Sequence, residues 1–392
     1  MSKNTKLLII VNSIRKIIEI FLGPFLTAYI FKVSTDSVMM VSLYNIFAHT
    51  VIAFFSLMVG AIIKNKYEMQ FFRLGMISKF LQLIILTLLG KKIIKYIWLV
   101  AMISGFSTIT WYFPLNLFSS TLVPHKEKKE YIVYKSIITN VIMVALPIVF
   151  GAIISEKSFE KTTIIVLVLS FIQILVSFQI DYKKKPIKSG SKFNLIKTFQ
   201  YIKDDKNVRE FYKTSFFLGM TCEGALNTTV TLLIIIAFNK DFSFGIVTSI
   251  TYLLSIISAY ICKKLINPHK IKMVIYLSGI IPLLSTIVLL FVTNQYTIVG
   301  YNIIYTFFIQ IITIINDVKT IKITNSDTIN DSNRVEGYAL MEVFLGFGRI
   351  ISYGLLLIVG ILNSFYLLKI LIMLLTLCIL LCGRHLTKIE ID

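Results

Sequence analysis

Apolar stretches long enough to cross a membrane recur along the whole chain and constrain its fold more than any other feature. A helix of roughly 20 apolar residues spans the ~30 Å hydrocarbon core of a bilayer. Inside lipid the backbone has no water to bond, so each stretch is expected to be a helix. A mean hydropathy of +0.81 and a hydrophobic fraction of 56% agree with this. The sequence therefore predicts an all-α integral membrane protein rather than a strand-based barrel.

Twelve stretches have the length and apolar character of transmembrane helices. They are 7–31, 38–63, 69–90, 93–122, 131–154, 163–180, 211–238, 242–262, 271–292, 296–316, 336–361 and 365–383. An even number of spans puts both termini on one side of the membrane. Most basic residues between the spans lie on that side, apart from Lys91, Lys92 and Lys95 on the other. The positive-inside rule therefore predicts a multi-pass protein with both termini in the cytoplasm.

The formal net charge of +20 comes from 40 Lys and Arg residues against 20 Asp and Glu residues. In a soluble protein this excess would indicate nucleic-acid binding. Here the basic residues lie mostly between apolar spans, where they orient the chain and attract anionic lipid. We therefore expect membrane lipid, and no nucleic acid, as a partner.

The sequence indicates neither a metal site nor a catalytic site. Its four cysteines lie in or beside apolar spans, and its four histidines have no metal-ligand spacing. No glycine-rich phosphate-binding loop of the Walker type is found. We therefore expect no cofactor, no bound metal and no enzymatic activity.

The longest polar segment, 181–210, divides the spans into two groups of six. Within it, 193–203 fits a short amphipathic helix on the membrane face. Three regions are predicted: an N-terminal six-helix bundle (1–180), a basic cytoplasmic linker (181–210) and a C-terminal six-helix bundle (211–392).

Weak internal similarity suggests that the two bundles are repeats of one another. Glu19 and Glu223 occupy corresponding places in the first span of each half, and Lys135 and Glu342 correspond in the fifth span. Two-fold internal symmetry of this kind is typical of secondary transporters.

Charged residues inside spans are the main functional candidates, since each costs at least ~2.5–3.5 kcal/mol at mid-membrane. Arg349 lies near the middle of its span and needs a partner or a watery cavity. Glu19 follows Arg15 by one helical turn, so these two also fit a simple neutralising pair. We predict that Glu19, Glu223, Glu342 and Arg349 form a substrate or proton-coupling site, with Glu223 as the first choice for the coupling carboxylate. Structural salt bridges between helices are the alternative.

Polar and aromatic side chains in spans two, four and ten are predicted to line the same cavity. They are Tyr44, Asn45, Trp111, Tyr112, Asn116, Asn302 and Tyr305. Rings provide contact area and amides fix the orientation of a small-molecule substrate. Interhelical hydrogen bonding, worth ~0.6 kcal/mol on average, is the alternative role for each of them.

The twelve-span layout and a loop motif resemble the major facilitator superfamily of membrane transporters. After span two that superfamily has a glycine, three residues, an aspartate and then a basic pair, which GAIIKNKYEMQFFRLG (60–75) resembles. Gly60 matches the glycine, Lys64 replaces the aspartate, and Arg73 lies near the end of the motif. A similar segment, KKLINPHKIKM (263–273), follows span eight and also lacks the acid.

Two further segments, GFSTITWYFPLN (105–116) and ALMEVFLGFGRII (339–351), resemble those of Gram-positive bacterial permeases in the superfamily. The resemblance implies a bacterial cytoplasmic membrane, alternating access about a central site, and coupling to an ion gradient, usually of protons. In the family the loop aspartate locks the cytoplasmic gate. Its replacement leaves open whether Gly60, Lys64 and Arg73 still form a gating loop.

We therefore predict a monomeric secondary active transporter that moves a small solute by alternating access, proton-coupled, with export as one direction to be tested. Two alternatives remain open. A non-transporting scaffold or receptor-like subunit would pair off its intramembrane charges and leave no cavity. A lipid-linked-saccharide flippase of another fold would lack the symmetry between two six-helix halves.

Overall fold

The computed structural model describes residues 1–65, 67–181, 193–265, 270–324 and 333–390, and within them all regular secondary structure is helical. The α-helices are α1 (Lys3–Ile20), α2 (Leu26–Val33), α3 (Val38–Asn65), α4 (Glu68–Leu89), α5 (Ile97–Leu122), α6 (Lys128–Lys157), α7 (Phe159–Phe178), α8 (Leu195–Asp204), α9 (Lys206–Met220), α10 (Ala225–Ala237), α11 (Asp241–Leu265), α12 (Ile271–Phe291), α13 (Gln295–Thr324), α14 (Arg334–Leu362) and α15 (Phe365–Leu386). A π-helical turn, Phe21–Phe25, joins α1 to α2, and 3₁₀ turns lie at Gly90–Tyr96 and His125–Glu127.

Each of the twelve predicted spans coincides with one helix or with two successive helices. Over the described residues, nine segments are long and apolar enough to cross a membrane when α9 and α10 are taken together. The other three predicted spans, 7–31, 69–90 and 93–122, coincide with the helices α1–α2, α4 and α5. The prediction of an all-α membrane protein is confirmed.

Polar side chains begin several helices at positions where free backbone N–H groups need acceptors. Ser158 caps α7 and Ser364 caps α15 through their hydroxyl oxygens. In the predicted linker, Asn194 caps α8, and Asp205 accepts hydrogen bonds from two N–H groups in the first turn of α9. The expected short helix near 193–203 is therefore present as α8, while 182–192 lie outside the described residues.

The two groups of six spans repeat the same packing. In the first half, α1 packs against α6 and α7, α4 against α5 and α7, and α3 against α5. In the second half the matching contacts are α9 with α14 and α15, α12 with α13 and α15, and α11 with α13. Two pseudo-symmetric six-helix bundles, as predicted, make up the fold.

Two long helix pairs join the bundles, α3 with α14 and α6 with α11. Glycines permit the close approach of α6 and α11. A methyl group on Gly245 would lie 2.3 Å from the carbonyl oxygen of Pro147, and one on Gly151 would lie 2.7 Å from that of Asp241. Small residues are the usual means by which membrane helices bring their backbones together.

Both termini lie at the same end of the bundle, which we call the terminus face. There, Asn4 donates a hydrogen bond to the carbonyl oxygen of Asp181 (2.7 Å), and Asn207 donates one to that of Glu390 (2.9 Å). The other end is called the opposite face. On it the halves are joined by an ion pair between Lys32 Nζ and Asp241 Oδ1, 2.7 Å apart.

Candidate functional site

A cavity of about 250 Å³ lies between the two halves. Its lining comes from the π-helical turn, α2, α3, α10, α11 and α13 and carries no charged side chain among the described residues. The hydrogen-bonding residues that line it are Thr27, Tyr44, Asn45, Asn227, Thr228, Thr231, Thr248, Thr251, Tyr252 and Asn302. Amides and hydroxyls thus dominate the polar part of the cavity, and the apolar part includes Leu22 and Phe244.

Hydrogen bonds to neighbouring helices hold several lining residues in place. The Tyr44 hydroxyl accepts a hydrogen bond from Gln82 Nε2 on α4, at 3.2 Å. Asn302 Nδ2, on α13, donates to Thr251 Oγ1 on α11, at 2.7 Å. Tyr44, Asn45 and Asn302, which the sequence predicted as cavity residues, lie together here.

In the second half, Arg349 binds both predicted carboxylates. Its Nη2 lies 2.8 Å from Glu223 Oε2, and its Nη1 lies 3.4 Å from Glu342 Oε2. The Arg349 Nε also donates to the carbonyl oxygen of Glu223 at 3.1 Å. One guanidinium therefore holds α14 against both the side chain and the backbone of the α9–α10 junction.

The seventh span is broken at this point. Helix α9 ends at Met220 and α10 begins at Ala225, so Glu223 sits in a non-helical segment within the membrane. The backbone groups exposed by the break are bonded by α14: Ser352 Oγ accepts from the Ala225 N–H (3.1 Å), and Tyr353 donates to the Gly224 carbonyl (3.4 Å). Irregular backbone at membrane depth is typical of transporter binding sites.

The first half has a matching arrangement around Glu19. Arg15 Nε lies 2.8 Å from Glu19 Oε1, and the Tyr112 hydroxyl donates to the Glu19 carboxylate at 2.8 Å. The helix is also irregular here, because the π-helical turn Phe21–Phe25, which contains Pro24, starts two residues after Glu19. Glu223 therefore lies within a helix defect and Glu19 lies next to one, as expected of corresponding positions in two repeats.

The two clusters flank the cavity. Leu22 and Gly23, which follow Glu19 in the first half, line it, and so does Asn227, which lies four residues beyond Glu223 in the second half. The predicted residues Glu19, Tyr112, Glu223, Glu342 and Arg349, together called the charged region, thus lie next to the uncharged cavity. They come from α1, α5, α14 and the α9–α10 junction.

The carboxylates in this region are accessible, whereas their cationic partners are buried. The exposed fraction of the side chain is 50% for Glu223 and 21% for Glu342, against 9% for Arg349. It is 23% for Glu19 against 3% for Arg15. A solute or proton in the interior therefore meets carboxylate oxygens before it meets a guanidinium.

The predicted gating loop makes a contact between the halves on the terminus face. Lys64, at the end of α3, forms a buried ion pair with Glu336, in the first turn of α14. Gly60, one turn earlier, is tightly enclosed: a methyl group there would lie 3.3 Å from Ala339, Phe113 and Phe193. Lys66 and 266–269, which fall in the two loop motifs, lie outside the described residues.

Arg73 contacts a different part of the structure. Its Nη2 donates to the carbonyl oxygens of Ser177 (3.2 Å) and Ile180 (3.3 Å), and its guanidinium lies 4.7 Å from the centre of the Phe178 ring. A cation at the end of a helix satisfies its last carbonyl groups and interacts favourably with its dipole. Arg73 thus holds the end of α7 within the first half and makes none of these contacts across to the second half.

Three predicted cavity residues belong neither to the cavity lining nor to the charged region. Trp111 is buried between Phe72, stacked at 4.3 Å, and the Arg15 guanidinium, 5.0 Å from the centre of its ring. Tyr305 is buried and stacks against Tyr301. Asn116 is exposed one helical turn after Tyr112, away from the cavity lining.

Other residues of the site were missed by the sequence analysis. Glu336, Lys32 and Asp241 all pair across the halves, and Asn227 lines the cavity. Basic residues between spans were attributed to membrane orientation, and the acidic residues Glu336 and Asp241 at span ends were given no role, so nothing marked these three as partners. Asn227 was detectable, since it is an amide one helical turn beyond Glu223 in an apolar span.

A family model described as the Major Facilitator Superfamily matches residues 7–352 of the chain. The chain belongs to the Major Facilitator Superfamily. The match covers the first half and the second half as far as α14, and so includes both charged clusters and the cavity. The predicted resemblance is confirmed, and the family and fold are those of transporters.

Three known proteins are similar to the chain in sequence or in fold. An uncharacterised protein of Bacillus subtilis (strain 168), YqgE, is 21% identical over 332 residues, which are 84% of this chain and 76% of that protein. The crystal structure of the nucleoside transporter NupG has a TM-score of 0.72 with 13% identity, over 100% of both chains. A bacterial homologue of the iron transporter ferroportin, in an inward-facing state, has a TM-score of 0.68 with 12% identity, over 99% of both chains. At such identities the structures establish the Major Facilitator Superfamily fold alone.

Proposed function

We propose that this protein is a proton-coupled secondary transporter that carries an uncharged polar solute across a bacterial cytoplasmic membrane by alternating access. One observation carries the proposal: an uncharged, amide- and hydroxyl-rich cavity lies between the halves, directly beside accessible carboxylates at two helix defects. The cavity suits the solute, and the carboxylates suit the coupling ion. One chain provides both the solute cavity and the proton-binding carboxylates, so it functions as a monomer.

The cavity lining supports the choice of solute. A charged solute would lose its hydration on entering and would find no counter-charge among the described lining side chains, which is costly. A solute with several hydroxyl or amide groups can replace its bonds to water by bonds to Asn45, Asn227 and Asn302 and the neighbouring threonines. The volume of about 250 Å³ suits a molecule the size of a nucleoside or a sugar. The shared fold with a nucleoside transporter makes uridine a reasonable first probe.

The charged region supports proton coupling. Glu223 and Glu342 both pair with the buried Arg349, and Glu19 pairs with the buried Arg15. Each of the three carboxylates remains partly accessible. Binding a proton to Glu223 weakens its ion pair with Arg349, which joins the α9–α10 junction to α14. Binding a proton to Glu19 weakens its acceptance of the Tyr112 hydrogen bond, which joins α1 to α5. Protonation of either carboxylate therefore alters the packing between elements. Glu223 remains the first candidate because it lies in the break of the seventh span and is the most exposed of the three.

The contacts between the halves support alternating access. On the terminus face Lys64 pairs with Glu336, and on the opposite face Lys32 pairs with Asp241. We propose that the terminus face is cytoplasmic, in line with the positive-inside rule, so that the first pair closes the inner gate and the second closes the outer gate. Opening one side then requires breaking one pair while the other holds.

The solute is tested by binding to the purified protein. Thermal unfolding is measured in detergent with uridine, xylose and mannitol as uncharged solutes, choline as a cation and succinate as an anion. We expect stabilisation by an uncharged solute, and a loss of that stabilisation in Asn227→Ala but not in the buried control Tyr305→Phe. Stabilisation by choline or succinate alone would contradict the proposed solute class.

Coupling and direction are tested in proteoliposomes loaded with that solute. We expect flux to increase when a pH gradient is imposed, and gradients of opposite sign distinguish export from uptake. Glu223→Gln should abolish the dependence on the gradient while solute exchange without a gradient continues. Unchanged proton dependence in Glu223→Gln would rule out its coupling role.

The two alternatives from the sequence are less well supported. A scaffold was expected to pair its charges and leave no cavity, but the charges pair beside a cavity. A flippase of another fold was expected to lack repeated packing, which is at odds with the matching contacts of the two halves.

A further inference from the structure

Helix α8 has an exposed apolar flank although it lies outside the predicted spans. Leu195, Thr198 and Ile202 face the bundle, where Leu195 and Ile202 pack against the main hydrophobic core. On the adjoining side of the helix, Ile196 is 74% exposed and Phe199 is 51% exposed. The apolar face of α8 is therefore wider than the part that packs on the bundle. Ile196 and Phe199 lie on the uncovered part and need another apolar environment.

Basic groups border this flank. Lys203 follows Phe199 by four residues and Ile196 by seven, so at helical spacing it projects from the same side. Arg209, in the first turns of α9, is exposed and donates to the carbonyl oxygen of Lys203 at 3.3 Å. Apolar side chains beside Lys and Arg are the pattern of a helix that lies in the interface of an anionic membrane.

The same helix is connected to the ion pair on the terminus face. The backbone N–H of Asn194, the residue that caps α8, donates to Glu336 Oε1 at 3.0 Å, the oxygen that also pairs with Lys64. Phe193 packs against a cluster that includes Val59 and Ile63 of α3, and Asn333 Nδ2 donates to the Tyr201 hydroxyl at 3.4 Å. An interaction that stabilises the position of α8 therefore also stabilises its contacts with the start of α14 and the end of α3.

We propose that α8 is an interfacial helix that binds the anionic lipid of the membrane leaflet on the terminus face, and that this binding stabilises the Lys64–Glu336 contact. Ile196 and Phe199 enter the interface, while Lys203 and Arg209 contact lipid phosphates. The leaflet is its partner because the bundle that supports α8 is itself embedded in lipid and the flank is basic rather than acidic. The proposal rests on the proposed location of the terminus face but not on transport or on the identity of the solute.

The test compares the full-length protein in two nanodiscs, one of phosphatidylcholine and one of equal parts phosphatidylcholine and phosphatidylglycerol. Amide hydrogen exchange is followed in 195–204 and 334–340. With phosphatidylglycerol we expect exchange in both segments to slow by at least about fivefold, because each of the two basic groups contributes about that factor at an anionic surface. In the double variant Ile196→Ser/Phe199→Ser, the slowing of exchange in both segments should be smaller. In the double variant Lys203→Gln/Arg209→Gln, exchange should no longer depend on phosphatidylglycerol.

A matched control substitutes two apolar side chains at the opposite face, Phe291→Ser/Tyr296→Ser, which are also highly exposed. This variant should respond to phosphatidylglycerol as the unmodified protein does. Equal exchange of 195–204 in both nanodiscs and in detergent would show that α8 faces water, and the lipid proposal would be wrong. Slower exchange in 195–204 without a change in 334–340 would disprove the link to the ion pair. None of these measurements depends on solute flux, so a failure here leaves the proposed transport to be judged separately.

Discussion

Lys64 at the end of α3 and Glu336 at the start of α14 form a buried ion pair that connects the two halves on the terminus face. The position held by Lys64 is the one where the superfamily's loop motif has an aspartate, so the charge is reversed and a carboxylate on α14 complements it. The Asn194 N–H also donates to this carboxylate at 3.0 Å. The contact is therefore a three-part junction between α3, α14 and the cap of α8.

This pair predicts that reversing one charge is harmful, whereas exchanging both charges is tolerated. Lys64→Glu places two carboxylates in a buried site, and we expect it to lower the free energy of unfolding by ~3–5 kcal/mol, as for other broken buried pairs. The exchanged double variant, Lys64→Glu with Glu336→Lys, should recover a large part of this loss. Unfolding of the purified protein in detergent measures both.

The ion pair on the opposite face provides the control for that experiment. Lys32 and Asp241 are 34% and 26% exposed, so the solvent screens their interaction. Lys32→Gln should therefore cost less than ~1 kcal/mol. If Lys64→Glu were no more harmful than Lys32→Gln, the terminus-face pair would not be a buried structural contact.

Arg349 predicts a ranked series of effects in the second half. Arg349→Met removes the partner of Glu223, of Glu342 and of the Glu223 carbonyl oxygen, and we expect a loss of ~3–5 kcal/mol. Glu342→Gln should cost less than ~1 kcal/mol, because its contact is long at 3.4 Å and its side chain is partly exposed.

The combination of Arg349→Met with Glu223→Gln distinguishes pairing from packing. If the ion pair is what Arg349 provides, neutralising Glu223 should restore part of the stability that Arg349→Met removes. Chemical unfolding of the three variants in one detergent provides the comparison. Additive losses in the double variant would mean that Arg349 acts through its packing instead.

The spans were predictable from the sequence because the physics that defines them is local. Lipid forces each apolar stretch to bond its own backbone, so length and hydropathy suffice. The pairing of Arg349 with Glu342 was also within reach, since the two lie two helical turns apart on one helix. In contrast, Lys64 and Glu336 are 272 positions apart, and only the packing of α3 on α14 brings them together.

The direction in which each side chain points could not be predicted from the sequence either. Trp111 and Tyr112 are neighbours in the same span, yet Trp111 is buried against Phe72 and Tyr112 faces Glu19. Both are large aromatic side chains, and the rotation of α5 about its own axis in the bundle decides which of them faces Glu19. The break of the seventh span was equally hidden, because Gly224 alone does not specify a non-helical segment.

The crossing of α6 and α11 predicts that a single methyl group is disruptive. In Gly245→Ala the added carbon would lie 2.3 Å from the carbonyl oxygen of Pro147, and backbone must move to relieve the overlap. We expect a loss of ~1–3 kcal/mol in the free energy of unfolding. Gly300→Ala in α13 is the matched control, because nothing lies within 4 Å of the new carbon.

In the control, alanine is the better helix former, so Gly300→Ala should be neutral or stabilising by up to ~1 kcal/mol. Thermal unfolding in detergent measures both substitutions under identical conditions. Equal stability of the two variants would show that α6 and α11 do not approach closely at Gly245.

Glu127 predicts how stability on the terminus face depends on pH. It lies in the 3₁₀ turn before α6 and accepts hydrogen bonds from the Thr5 hydroxyl (2.6 Å), the Ser2 N–H (2.8 Å) and the Ser2 hydroxyl (3.0 Å). These bonds hold the pKa of the Glu127 carboxyl below its usual value. A carboxyl whose pKa is lowered by folding stabilises the protein above its unfolded pKa, and that contribution is lost as the pH falls through the folded value.

The variant Glu127→Gln removes this ionisable group and leaves the size of the side chain unchanged. Near neutral pH the unmodified protein should therefore unfold at a higher temperature than Glu127→Gln. The difference should shrink as the pH falls through the acidic range, because Glu127 then takes up a proton and resembles the variant. Glu130→Gln, on the exposed start of α6, serves as the control and should behave as the unmodified protein does. A difference between Glu127→Gln and the unmodified protein that is the same at every pH would mean that the hydrogen bonds from Ser2 and Thr5 do not depend on the carboxylate charge.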